Sequence, residues 1–218
     1  MNISKITLRK IGAWSGIIGS ALFVFLFTLE GIFHPGYDAK RMYISELSLG
    51  SFGWMQIINF MMLGILLLIF SRAVASEFPA GKASRWGVSL VTILGVLFFI
   101  SGPFVMDPSG TPTGQMSVHG TIHGLAGGFV FLIMPITILV FLRRFLEDPN
   151  WTSMKVWTIV LSIIETIGVI FFTIASKIPE GQNIFIHWLG LIQRIALIPF
   201  MVWVFVFAIN LLVKEEHV

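Results

Sequence analysis

Residues 118–142 read VHGTIHGLAGGFVFLIMPITILVFL: two histidines at the start of a stretch that carries no lysine, arginine, aspartate or glutamate. At 1.5 Å per residue a helix over these 25 positions is about 37 Å long, more than the roughly 30 Å of hydrocarbon in a bilayer. The stretch therefore predicts a transmembrane helix. Comparable apolar stretches lie at approximately 12–33, 52–71, 86–105, 154–176 and 188–213. The expected fold is an all-α integral membrane protein, a six-transmembrane-helix bundle occupying residues 1–218 as a single membrane domain.

Composition agrees. The 218 residues are 56% hydrophobic and only 11% charged, with a mean hydropathy of +0.91, which excludes an ordinary soluble domain. Cysteine is absent, so disulfides, thiolate metal ligands and a cysteine nucleophile are ruled out. The formal charge of +3 comes from residues flanking the apolar runs and implies no nucleic-acid partner. The basic segment before the first run resembles a signal peptide, but its apolar run is too long, so it reads as a retained span.

Cation placement predicts orientation. With the N-terminus inside, Lys5, Arg9, Lys10, Arg72, Lys82, Arg85, Arg143, Arg144, Lys155 and Lys214 are cytoplasmic and only Lys40, Arg41 and Lys177 are outside, ten against three. Both termini are expected in the cytoplasm, in a multi-pass protein of the cell (plasma) membrane. Trp14, Trp54, Trp86, Trp151, Trp157 and Trp188 sit near predicted span ends, as interfacial indoles do, whereas Trp203 does not.

The chemistry-bearing residues gather toward the outer side. His119 and His123 are spaced i,i+4 and share one helix face. Such a pair can supply two zinc ligands, with Asp107, His187 or His34 completing the set and water in the open position for hydrolysis. Haem is a second option. Simple hydrogen bonding to neighbouring helices or loop carbonyls is the third.

Asn59, His123 and Arg194 fall at similar depth, with Glu30, His34, Asp38, Glu46, Asp107, His119 and His187 nearer the surface. Together they outline an outward-open polar pocket for a lipid or small amphipathic molecule. In an enzyme, Glu46 and Asp107 are the candidate acid-base groups, while Arg194, Asn59, His34 and Tyr37 bind substrate. Arg194 can clamp a phosphate or carboxylate. It can equally pair with Glu165, in the middle of the fifth span, and lock two helices. Asp38 and Glu46 also suit capping, and Glu30 and Glu165 a structural role. Absent chemistry, the protein is a transporter, sensor or scaffold whose polar residues fix packing.

Gly120, Gly124, Gly127 and Gly128 form a small-residue face expected to admit a neighbouring helix closely. Pro35-Gly36 ends the first helix, and Asp38 to Gly50 predicts a short surface helix. The connections 72–85 and 143–153 read as charged linkers, and His217 lies in a solvated tail.

Several elements taken in order resemble a family of prokaryotic membrane proteins named domain of unknown function 998. They are Tyr37-Asp38 with Tyr43-Ile44-Ser45-Glu46-Leu47, Gly53-Trp54, Gly102-Pro103-Phe104 with Asp107-Pro108, the glycine-flanked histidines, and Gln193-Arg194. The resemblance covers the whole chain and implies six spans without implying an activity. The Ile-Ser-Glu element is also similar to one in the Frag1, DRAM and Sfk1 membrane proteins, which implies a link to lipid.

Overall fold

A computed structural model describes residues 3–78 and 81–213; Lys214 and the tail through His217 lie outside the described residues. The long helices are α1 (Ile3–Phe33), α2 (Trp54–Glu77), α3 (Lys82–Ile100), α4 (Val118–Glu147) and α5 (Thr152–Lys177). The short helix α6 (Pro179–Phe185) then leads into α7 (Leu189–Val213). No strand occurs among the described residues.

Consecutive helices pack side by side, and α7 closes the circuit by packing on both α5 and α1. The result is a ring in the order α1, α2, α3, α4, α5, α7. Large apolar side chains cover its outside, among them Ile32, Ile65, Leu132, Ile167 and Val202, a surface suited to lipid rather than water. This is a multi-pass membrane protein.

Five of the helices are long and apolar enough to cross a bilayer, and the apolar part of α3 is shorter, Arg85–Ile100. The run expected over 86–105 loses its last turn because Ser101-Gly102-Pro103 follows. Proline donates no amide hydrogen and pushes the residue before it out of helical geometry. The charged linkers are shorter than expected, since α2 continues to Glu77 and α4 to Glu147. Arg9 pairs with Glu77 at 3.4 Å, tying α1 to α2 at the end rich in cations.

The glycines of α4 do not admit a helix. A Cβ at Gly124, Gly127 or Gly128 would meet nothing within 4 Å. Close approach occurs elsewhere, where Gly12 of α1 meets Ala73 of α2 and Gly64 of α2 lies against the Gly95 carbonyl of α3.

The two ends of the ring differ. At the cation-rich end Phe207 stands edge-on or tilted against Phe70, Phe78, Phe141, Phe145, Trp151 and Trp203, at centroid distances of 5.2–6.2 Å. Trp151, expected at an interface, is 1% exposed inside this cluster. Trp203, which did not fit an interfacial belt, is buried and donates its indole N–H to the Thr158 hydroxyl at 3.2 Å. At the opposite end a segment from His34 to Gly53 folds over the ring as a cap.

Candidate functional site

The cap begins where α1 stops. Gly36 and Gly50 both adopt positive φ, +76° and +78°, and bracket the reversal of the chain. Between them Asp38 accepts from the Lys40 amide at 2.9 Å, capping a turn rather than the start of a helix. A 3₁₀ turn, Ile44–Ser48, follows. Glu46 reaches back to accept from the Tyr43 amide at 2.8 Å, which is how a capping carboxylate behaves. Ile44 and Leu47 are wholly buried in the main core, so the cap is plugged into the ring rather than resting on it.

Arg194 holds the cap in place. Its guanidinium donates to the carbonyls of Ala39 at 2.7 Å, Met42 at 3.2 Å and Gly190 at 2.8 Å, and to the Tyr37 hydroxyl at 2.6 Å. Tyr37 in turn donates to the carbonyls of Met42 and Tyr43. Gln193 accepts from the Ile44 amide at 2.7 Å, and the Leu191 amide in the first turn of α7 donates to the Lys40 carbonyl at 3.0 Å. Helix amides there lack intrahelical partners, so a cap carbonyl satisfies one of them. Gly190 permits the approach, because a Cβ there would collide with the Met42 carbonyl. Lys40 adds its ammonium over the Trp188 ring at 3.6 Å.

Arg194 therefore does not pair with Glu165. Depth alone suggested that pairing, but the side chain sits near the start of α7 and extends outward to the cap. Glu165 is 0% exposed on α5, and the polar group beside its carboxylate is the Phe200 main chain of α7, not Arg194. Nor is the guanidinium free as an anion clamp.

The histidines separate. The buried His123 ring donates from Nδ1 to the carbonyls of Ser101 at 3.1 Å and Phe104 at 2.8 Å, just past the end of α3. Only acceptors face Nδ1, so the proton belongs there and Nε2 carries the lone pair. His119 is exposed and rests against the Phe104 ring, and His187 is exposed on the link into α7. Asp107 accepts from the Ser117 amide at 2.8 Å and lies over Gly120, where a Cβ would collide with its carboxylate. It serves the N-terminus of α4.

Among the described residues no group of three histidine, aspartate or glutamate side chains can hold a metal ion, so the zinc set of His119, His123, His187 and Asp107 is not assembled. His34 is equally remote from it, lying against Tyr37 and the Leu49 carbonyl. Glu30 is buried near His34, with one oxygen lacking a hydrogen-bond partner among the described residues. Asn59, expected beside His123 and Arg194, instead donates to the Phe23 carbonyl of α1 at 3.1 Å and to Gln56 at 3.2 Å.

What converges is smaller than a broad outer pocket. A cavity of about 30 Å³ lies inside the ring beneath the cap, lined by Ser45, Ser101, His123 and Gln193 among Ile44, Phe60, Phe98, Gly127, Val130, Phe131 and Leu197. Ligand pockets run to about 300–1,000 Å³, so this one accommodates about two waters or a single polar head group. Gln193 and Ser101 were not singled out as site residues. The two motif elements at 37–47 and 193–194 gave the available signal, because they are the two sides of the cap joint.

Two tyrosines complete the electrostatics, and they are the only two in the chain. Burial pushes the Tyr43 phenol up to about 12, with the Glu46 carboxylate adding to the effect. Burial raises Tyr37 as well, opposed by the Arg194 guanidinium and assisted by Glu46 and Glu30.

The chain matches the family described as Protein of unknown function (DUF998) over residues 17–210. It belongs to that family. The matched region contains the cap, the cavity and the ring from within α1 through nearly all of α7. That match does not bear on the shorter likeness to the Frag1, DRAM and Sfk1 proteins. No curated protein and no solved structure matches the chain.

Proposed function

We propose that the protein is a six-span carrier or sensor of the plasma membrane with both termini in the cytoplasm, which binds a small or amphipathic molecule beneath its outer cap. The sixth span is α3: its apolar part, Arg85–Ile100, extends about 24 Å, and it stands in the ring between α2 and α4 like the other members. The ten-to-three bias of cations favours an outside position for the cap. The absence of cysteine makes orientation directly testable, since single cysteines at Arg41 and Glu147 should react with an impermeant maleimide in intact cells only at Arg41.

The single observation behind the binding role is the cavity beneath the cap, where partly free polar groups of the cap, α3, α4 and α7 meet in an otherwise apolar core. A non-catalytic reading is favoured because Glu46, Asp107 and Arg194, the groups offered for chemistry, are each bonded to main chain. Native mass spectrometry after extraction in mild detergent tests the role. A retained small molecule is expected on the wild type and should be missing from Val130→Phe, which fills the cavity. Neither protein retaining one contradicts it.

A further inference from the structure

Building on the binding role proposed above, we infer that the cavity receives the hydroxyl of a single-chain membrane alcohol, which enters sideways along the open glycine face of α4. The polar lining dictates the head. His123 has its Nδ1 committed to the Ser101 and Phe104 carbonyls and its Nε2 without a partner among the described residues, on a ring that is 7% exposed. Gln193, also 7% exposed, has its oxygen committed to the Ile44 amide, which leaves its amide hydrogens for a guest. A hydroxyl donates to the first and accepts from the second. Ser45 lines the same space and can do either.

Size and charge exclude the larger alternatives. About 30 Å³ has no room for a phosphate with its substituents, and among the described residues neither lysine nor arginine lines the space to balance an anion. The tail has a route out. Gly127 lines the cavity, and a methyl group added at Gly124, Gly127 or Gly128 would have nothing within 4 Å, so the cleft runs from the cavity to the lipid-facing side of α4. Phe131, which lines the cavity, lies tilted against Phe172 of α5 with ring centroids 4.5 Å apart. An apolar hollow of about 420 Å³ lined by Phe171, Ile184, Phe185, Trp188 and Leu191 offers a contrast, because its lining among the described residues includes no comparable hydrogen-bonding pair. It should take any chain.

The experiment uses the full chain in phosphatidylcholine vesicles with two photoprobes, hexadecanol and hexadecyl phosphate, each carrying a diazirine in the chain. Hexadecanol should label the 118–131 segment about tenfold more than hexadecyl phosphate does, as expected for hydrogen bonds that only the neutral head can complete. Both probes should label the apolar hollow equally. Gly127→Leu places a side chain in open space, so its melting temperature should stay at the wild-type value while labelling of 118–131 by hexadecanol falls by about the same factor. His123→Phe should abolish the difference between probes. Undiminished labelling in Gly127→Leu overturns the sideways route. Equal labelling of the cleft by both probes overturns the hydroxyl assignment, yet leaves a molecule retained in native mass spectrometry as support for the binding role. No labelling of the cleft by either overturns the inference whatever that spectrum shows.

Discussion

The cation-rich half and the capped half of the ring are held by different forces. Around Phe207 the core is aromatic and closely packed, with stability arising from buried area and ring-edge contacts. Around Arg194 the buried Ile44 and Leu47 are supplemented by directional bonds: the guanidinium donates to the Ala39 carbonyl and the Tyr37 hydroxyl, and the Gln193 oxygen accepts from the Ile44 amide. The first arrangement is insensitive to small changes of angle. The second is specific and can let go as a unit, because its bonds converge on one or two side chains of α7.

Mutation should separate the halves by size of effect. Phe207→Ala should cost about 3–5 kcal/mol, read as a large fall in thermal unfolding temperature with cap and ring lost together. Arg194→Met should cost less, about 1.5–3 kcal/mol, because charged hydrogen bonds to the cap are lost while the aromatic core stays. Its distinctive readout is local: trypsin should cut after Lys40 or Arg41, both exposed, far faster than in the wild type while the ring remains folded. Equal resistance in the two proteins would show that Arg194 is not what holds the cap.

Reading depth along the sequence located the long helices because hydropathy is a property of each segment by itself. It overextended α3 because Phe104 and Val105 are apolar although Pro103 has already ended the helix. The site was harder to read. The partners of His123, and all those of Arg194 except the Tyr37 hydroxyl, are backbone carbonyls, which have no sequence signature, so the imidazole pair suggested a metal and the guanidinium a carboxylate. The same limit applies to the α4 glycines, since small residues permit close packing without requiring it.

Alkaline pH offers a milder way to probe the cap. A phenol whose folded pKa exceeds its unfolded value of about 10 stabilises the fold below that pH and loses the contribution as pH rises through the folded value. For Tyr43 that window closes near 12, and Tyr37 shifts in the same direction. Because the chain has no other tyrosine, absorbance at the phenolate band reports the cap alone. Ionisation should begin above the normal phenol range in the wild type; in Arg194→Met the Tyr43 step should move down toward it as the cap loosens, while Tyr37 loses the guanidinium that opposes its upward shift. The smallest effect belongs to His119. Its exposed ring makes His119→Ala worth no more than about 0.5 kcal/mol in thermal unfolding, whereas a larger loss would point to a role beyond its contact with Phe104.

A double-mutant cycle between Arg194→Met and Tyr37→Phe, scored by thermal unfolding, tests most directly whether these polar groups act together as the cap's fastening. The 2.6 Å bond between the two side chains predicts a coupling of about 1–3 kcal/mol, with the double mutant losing clearly less than the sum of the single losses. Additivity within about 0.3–0.5 kcal/mol would contradict it, since the guanidinium and the phenol would then be acting independently.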